Sequence, residues 1–282
     1  MTNSVGREPV DSTGRPAGKV DFTGVPWRSV EWTNLCVLYL RACESRLEDS
    51  ILSDHMAAEA VARIEYDFER IRRNVRPWAN QFMVALRGVQ FDAVATDYLS
   101  RHPEAVVLHL GCGLHSRAFR LAAAKGVRWF DVDLPNVIAL RRQLYAESDT
   151  YRMIGSSVTD PGWIAELPRG GPVLIAAEGL LMYLRPPEIT NLLGRLLDRF
   201  DTGELLADVL SAWGPRLSRV IAWGTRDGGE IARWDARLRL VEDSSVMAGF
   251  DGIPLTPQRL LYRTLYAIPA IRDYDRIFRF AF

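Results

Sequence analysis

From Ala105 onwards, short apolar runs alternate with segments of helical spacing, and few folds accommodate that order. The runs are Ala105–Leu110, Val127–Val132, Tyr151–Ser156, Pro172–Ala177 and Glu204–Leu210, with helical patterns between them at 116–125, 136–146, 161–166 and 186–200. Strands separated by helices are joined by crossovers, so neighbouring strands run parallel and helices cover both faces of the sheet. Two further strands are expected at Leu238–Val246 and Arg276–Phe282. The last alternates polar and apolar residues and reads as an edge or antiparallel strand. The expectation is an α/β fold around a mostly parallel, seven-stranded sheet with an antiparallel last strand.

The chain before Ala105 has a different pattern. Residues 1–21 are rich in Gly, Pro, Ser, Thr and Asp and have little to bury, which predicts a flexible tail. Helical spacing follows at 35–47, 54–74, 77–87 and 89–101, until His102-Pro103 ends it. The expected organisation is a helical cap over 22–104 and a main domain over 105–282, with an acceptor-side insert at about 211–275.

Bulk properties exclude several classes. The formal net charge is +0 over 282 residues, which argues against a nucleic-acid partner held by a strong electrostatic footprint. Cys36, Cys43 and Cys112 make neither a disulfide framework nor a C-x-x-C zinc pair, and a reducing, cytoplasmic compartment is expected. No uncharged apolar run reaches the roughly 18 residues of a membrane helix, and the N-terminus lacks a signal-peptide pattern. His55, His102 and His109 show no metal-ligand spacing, so no metal is expected.

The chemistry concentrates where the first run meets Gly111-Cys112-Gly113. A strand entering a glycine turn that opens a helix lets backbone approach a ligand closely. Asp133 lies 20 residues after Gly113, at the end of the next run, where a carboxylate accepts from ribose hydroxyls. The alternative for Asp133 is a helix cap before Pro135. A dinucleotide loop carries a third glycine beside the pyrophosphate; here that position is Ser116, which turns the reading towards a ligand without a pyrophosphate.

Three segments then become recognisable: Leu110-Gly-Cys-Gly-Leu-His-Ser-Arg117, Asp131-Val-Asp-Leu-Pro-x-Val-Ile-x-Leu-Arg-Arg142 and Ala177-Glu-Gly-Leu-Leu-Met-Tyr-Leu184. Together they resemble the leucine carboxyl methyltransferase family, and most closely its bacterial polyketide O-methyltransferase branch. The resemblance runs from about residue 30 to the C-terminus. It implies a Rossmann-like class I methyltransferase, an S-adenosylmethionine cofactor and a small-molecule acceptor. It implies that Arg87 binds the cofactor carboxylate, that Gly111 and Gly113 form the loop, that Asp133 holds the ribose and that Glu178 holds the ammonium group. The open alternatives are a solvated helix arginine for Arg87 and a buried structural carboxylate for Glu178. Tyr183 either shapes the acceptor pocket or packs on the following helix. The family contacts adenine after the third strand, which points to Ser157 and Val158 through their backbone. Asp160 either joins them or caps the next helix, and capping is the preferred reading. His115 stands where relatives carry Asp; a surface or loop histidine is preferred over a general base. His109 reads as a hydrogen-bonded core residue, and Cys112 as a small residue fitting between the glycines.

An ionised carboxylate needs no base to accept a methyl group, whereas a phenol with a pKa near 10 does. The lack of an evident base therefore favours carboxyl methylation. Hydroxyl methylation and a non-catalytic cofactor-binding partner remain as alternatives.

Overall fold

The computed structural model describes residues 18–121, 126–217 and 220–282. Most of the expected flexible tail, residues 1–17, lies outside that range, as does the end of the helix expected at 116–125. Val20–Asp21 (β1), assigned by sequence to the tail, instead pair in parallel with Ile64–Glu65 (β2).

Seven strands form the main sheet: Val106–Leu110 (β3), Arg128–Asp133 (β4), Tyr151–Gly155 (β5), Pro172–Ala177 (β6), Thr202–Leu210 (β7), Arg239–Ser245 (β8) and Asp275–Ala281 (β9). Their order is β5-β4-β3-β6-β7-β9-β8. Strands β3 to β7 are mutually parallel, and β9 is antiparallel to both β7 and β8. The expected antiparallel last strand is thus present, but it is not the edge. Its alternation comes from Arg276 and Arg279, which pair with carboxylates, while Ile277, Phe278 and Phe280 are buried. The edge on that side is β8, whose register shifts between Leu240 and Glu242. A bulge and exposed charges there keep the edge from pairing with another chain.

The parallel strands read as apolar runs because helices cover both of their faces. Val106, Leu108 and Leu110 of β3 join a buried cluster with Val173 and Ile175, and Val107 points into the opposite cluster. The first cluster is closed by Pro186–Arg199 (α7), through Ile189, Leu192, Leu193 and Leu196. Helices Val30–Ser45 (α1), His55–Arg63 (α2), Phe68–Val75 (α3) and Pro77–Arg101 (α4) precede the sheet. Leu35, Ala57, Ile71 and Ala95 share the second cluster with Val107, Trp129 and Met153.

Local signals explain the helix limits. Ser29, Asp54 and Asp67 accept from Trp32 N, Ala57 N and Arg70 N, capping α1, α2 and α3. The helix expected over 54–74 is therefore two, interrupted where Ile64–Glu65 take up strand pairing. Conversely, the two helices expected at 77–87 and 89–101 are one. Gly88 costs a helix only about 1 kcal/mol, and a Cβ there would stand 3.0 Å from Leu52 Cδ1. Short elements complete the chain: Arg117–Arg120 (α5), Pro135–Arg141 (α6), Gly214–Leu217 (α8), Gly228–Ala232 (α9), Thr256–Tyr266 (α10) and Pro269–Arg272 (α11). Tight 3-10 turns occupy Gly162–Glu166 and Leu181–Tyr183. Among the described residues no helix is long and apolar enough to cross a membrane.

Leu192→Ala removes a fully buried side chain from the interface of α7 with the sheet. It should cost about 2–5 kcal/mol of unfolding free energy, read by denaturant titration.

Candidate active site

The parallel strands end together on one rim, and the glycine loop leaves β3 there. Gly111 and Gly113 have φ of +62° and +52°, the left-handed region that favours glycine. Gly111 N donates to Val132 O at 2.8 Å, which ties the loop to the end of β4. A Cβ on Gly111 would stand 3.1 Å from Leu180 Cδ1, and one on Gly113 would stand 2.8 Å from Asn34 Oδ1. The space over the loop is thus bounded by Leu180 on one side and by α1 on the other. Asn34 Nδ2 is buried there without a hydrogen-bond partner among the described residues.

Asp133 ends β4 beside this loop. Its Oδ2 accepts from Gly113 N and its Oδ1 from Leu134 N, both at 2.7 Å. These backbone donors carry no full charge, and burial pushes the carboxyl above its usual range. The cap position of α6 belongs to Leu134, so Asp133 is not spent on capping. Ser156 N donates to Asp133 O at 2.9 Å, which brings the loop after β5 to the same rim. In that loop Val158 is buried and Ser157 Oγ lies 2.8 Å from Thr159 Oγ1. Asp160 is exposed, and its Oδ1 accepts from Gly162 N at 2.8 Å in a local turn, while the cap position of the 3-10 turn is Pro161.

Beyond the loop the rim is ionic. Glu178 follows β6, and its Oε1 accepts from Arg87 Nε at 3.0 Å. Its Oε2 accepts from Arg117 Nη2. Arg87 Nη1 also donates to Asp208 Oδ2, in β7, at 2.9 Å. Arg117 Nε donates to Asp92 Oδ1 at 2.7 Å, and Arg120 Nη2 donates to Asp92 Oδ2. Arg120 Nη1 and Arg41 Nε then meet on Asp54 Oδ2, at 2.9 and 2.8 Å. The result is a continuous series, Asp208–Arg87–Glu178–Arg117–Asp92–Arg120–Asp54–Arg41. Burial opposes ionisation of Glu178, but Arg117 and Arg87 hold its carboxyl well below the usual range.

Arg87 is therefore not a solvated helix arginine: its side chain is 15% exposed and holds two carboxylates. His115 is a loop residue but not a surface one. Its Nδ1 lies 2.8 Å from Arg41 Nη1, and burial together with that cation pushes the imidazole well below its ordinary pKa. With its pKa so lowered and its Nδ1 lone pair taken by the Arg41 guanidinium, the ring is a weak base with no free acceptor nitrogen. His109 is buried in the core as expected, hydrogen-bonded through Nε2 to Arg117 Nη1 at 3.3 Å. Cys112 is buried, and burial pushes its thiol well up, which makes it inert.

Sequence reasoning missed Arg117, Asp208, Asn34 and Asp54. Two of these carried a signal. Arg117 directly follows the loop motif, and Asp208 interrupts the apolar run Leu205-Leu-Ala-Asp-Val-Leu210. Asn34 and Asp54 lie at the starts of segments that read only as ordinary helices. Tyr183 sits 46% exposed on the turn after Glu178, facing the solvent side of the rim.

Known proteins place this arrangement. Residues 34–197 match the family described as leucine carboxyl methyltransferase. The chain is 36% identical to the tetracenomycin polyketide synthesis O-methyltransferase TcmP of Streptomyces glaucescens over 90% of this chain and 97% of that one. It is 34% identical to an S-adenosyl-L-methionine-dependent methyltransferase of Gibberella zeae, over 66% of this chain and 65% of the relative. A solved Thermobifida fusca structure named as a methyltransferase superposes with a TM-score of 0.54 at 19% identity, covering 72% of this chain and 82% of its own, and supports the fold.

Arg117→Ala leaves Glu178 and Asp92 short of a buried partner. It should destabilise the protein by about 3–5 kcal/mol, and Arg117→Lys should recover only part of that because one ammonium cannot span both carboxylates. Thermal and denaturant unfolding of the two variants check this.

Proposed function

Since the chain belongs to the leucine carboxyl methyltransferase family, we propose that it methylates a carboxylate oxygen of a small, natural-product-like acceptor. It is an S-adenosylmethionine-dependent O-methyltransferase. When bound, the cofactor supplies a methyl group already activated on a sulfonium sulfur.

The residues present fit that cofactor. Gly111 and Gly113 carry no side chains, so only the Leu180 and Asn34 side chains stand over the loop backbone, and the unpartnered Asn34 Nδ2 offers a donor beside it. Asp133 keeps lone pairs for ribose hydroxyls, since each of its oxygens accepts only a single backbone N–H. Arg87, with 15% of its side chain exposed, supplies a guanidinium for the cofactor carboxylate. Glu178 is ionised, fully buried and fixed by Arg87 and Arg117, as a structural carboxylate would be, and it reaches the ammonium group only through lone pairs the arginines leave free. Ser157 and Val158, held next to Asp133 through Ser156 N, present backbone groups for adenine.

The observation behind a carboxylate acceptor is that the histidine and the glutamate nearest the loop are both committed. His115 is neutral and bonded to Arg41, and Glu178 is held by two arginines. A carboxylate is ionised at neutral pH, so the protein has only to align it and exclude water. The polyketide role in the Streptomyces glaucescens relative's name suggests a polyketide-like acid as the acceptor. A hydroxyl acceptor is the second reading. Asp275 favours it, because burial beside Asp208 pushes this carboxyl up to about 8 and makes it more basic than an ordinary aspartate.

The two readings separate on the product. An ester releases methanol on mild alkaline hydrolysis, whereas a methyl ether survives; a surviving product would sink the carboxylate reading. Asp133→Ala and Arg87→Ala should each weaken cofactor binding by about 1–3 kcal/mol, roughly 5- to 150-fold, by calorimetry. Unchanged affinity in a folded variant removes that residue from the cofactor site.

A further inference from the structure

Asp275 belongs to none of the contacts assigned to the cofactor, yet it stands on the same rim. It opens β9 opposite Leu210, the last residue of β7, and Asp208 lies opposite Ile277. Because β9 is antiparallel, its first residue reaches the end where β6 and β7 finish. Asp208 is satisfied, by Arg87 Nη1 and by Gly179 N. Asp275 is not: its Oδ1 is buried without a hydrogen-bond partner among the described residues.

The ionisable groups facing it come from every neighbouring element. They are Asp208 from β7, Arg87 from α4, Glu178 from the end of β6 and the Tyr183 hydroxyl from the turn above. The cations nearest in sequence are engaged elsewhere, Arg272 with Asp273 and Arg276 with Asp243 and Asp273. Aromatic surface adjoins this carboxyl. Tyr183 is half exposed, and Trp213 packs on Tyr274 with ring centroids 4.6 Å apart.

We propose that Asp275 holds the acceptor, its carboxyl in the acid form donating a hydrogen bond to one oxygen of the acceptor carboxylate while Tyr183, Trp213 and Tyr274 flank the aromatic body. The inference rests on the carboxylate reading above. Burial and the neighbouring Asp208 push Asp275 up to about 8, so at neutral pH it carries the proton it needs to donate. A neutral donor suits this task better than a cation, because a salt bridge would draw electron density from the attacking oxygen. The unheld oxygen forms its bond to the methyl carbon as the carbon–sulfur bond breaks. The bonding pair stays on sulfur, which becomes a neutral thioether, and no proton is released. Asp275 keeps its proton throughout. Above about pH 8 it ionises, loses its donor and repels the acceptor, so binding is present below that pH and lost above it.

The test uses the full chain loaded with S-adenosylhomocysteine and titrated with 2-naphthoate by calorimetry between pH 6.5 and 9. Wild type should weaken about 10-fold or more across pH 8, the loss expected for a hydrogen bond to a charged group. Asp275→Asn, which keeps a donor and cannot ionise, should bind within about 3-fold of wild type at neutral pH, with no alkaline loss. Asp275→Ala should lose about 10-fold or more at neutral pH. Wild-type affinity in Asp275→Ala, or no binding of 2-naphthoate to wild type at any pH, overturns the proposal and leaves an alkali-labile product untouched. If 2-naphthol binds instead, tightens above pH 8 and is lost in Asp275→Asn, Asp275 is a base. The carboxylate reading then falls together with the proposal.

Discussion

A buried series of alternating arginines and carboxylates joins the helical block to the sheet, and the rest of the site depends on it. It runs from Asp208 in β7 through Arg87, Glu178, Arg117, Asp92, Arg120 and Asp54 to Arg41 in α1. Removing each ion from water costs several kcal/mol, which close, multiply bonded geometry must offset. That requirement is strict about position. A helix displaced by one turn would leave a charge buried and alone. The series therefore sets where α1, α4 and α5 stand over the rim more sharply than apolar contact does.

Placement of the cofactor cradle follows. With Arg41 held on Asp54 and His115, α1 is fixed where Asn34 meets the space over Gly113. With Arg87 held on Glu178 and Asp208, α4 presents its guanidinium at the rim. The loop needs little further support, because Gly111 N and Gly113 N bond to the end of β4.

Three carboxylates on this rim have different chemistry for reasons of surroundings alone. Glu178 sits between two arginines and stays ionised. Asp133 has backbone donors only, so burial pushes it up. Among the described residues no cation or backbone donor is bonded to Asp275 Oδ1, and Asp208 stands nearby, so it rises further. One rim can thus hold an ionised carboxylate beside two carboxyls shifted towards the acid form.

What the sequence determined by itself is local and periodic. The strand alternation, the positive-φ glycines between strand and helix, and Asp133 at the next strand end follow from spacing along the chain, and they were legible without neighbours. The antiparallel last strand was legible too, but its place between β7 and β8 was not. Its arginines look like an exposed face until Glu204 and Asp243 are found beside them. Only the tertiary structure decided the ionic series, since its partners lie up to 121 residues apart and their residue types match any solvated helix face. It also decided that His115 is neutral and that Asp275 Oδ1 has no hydrogen-bond partner among the described residues. A side chain's protonation depends on the charges and the water around it, and chain order does not specify either.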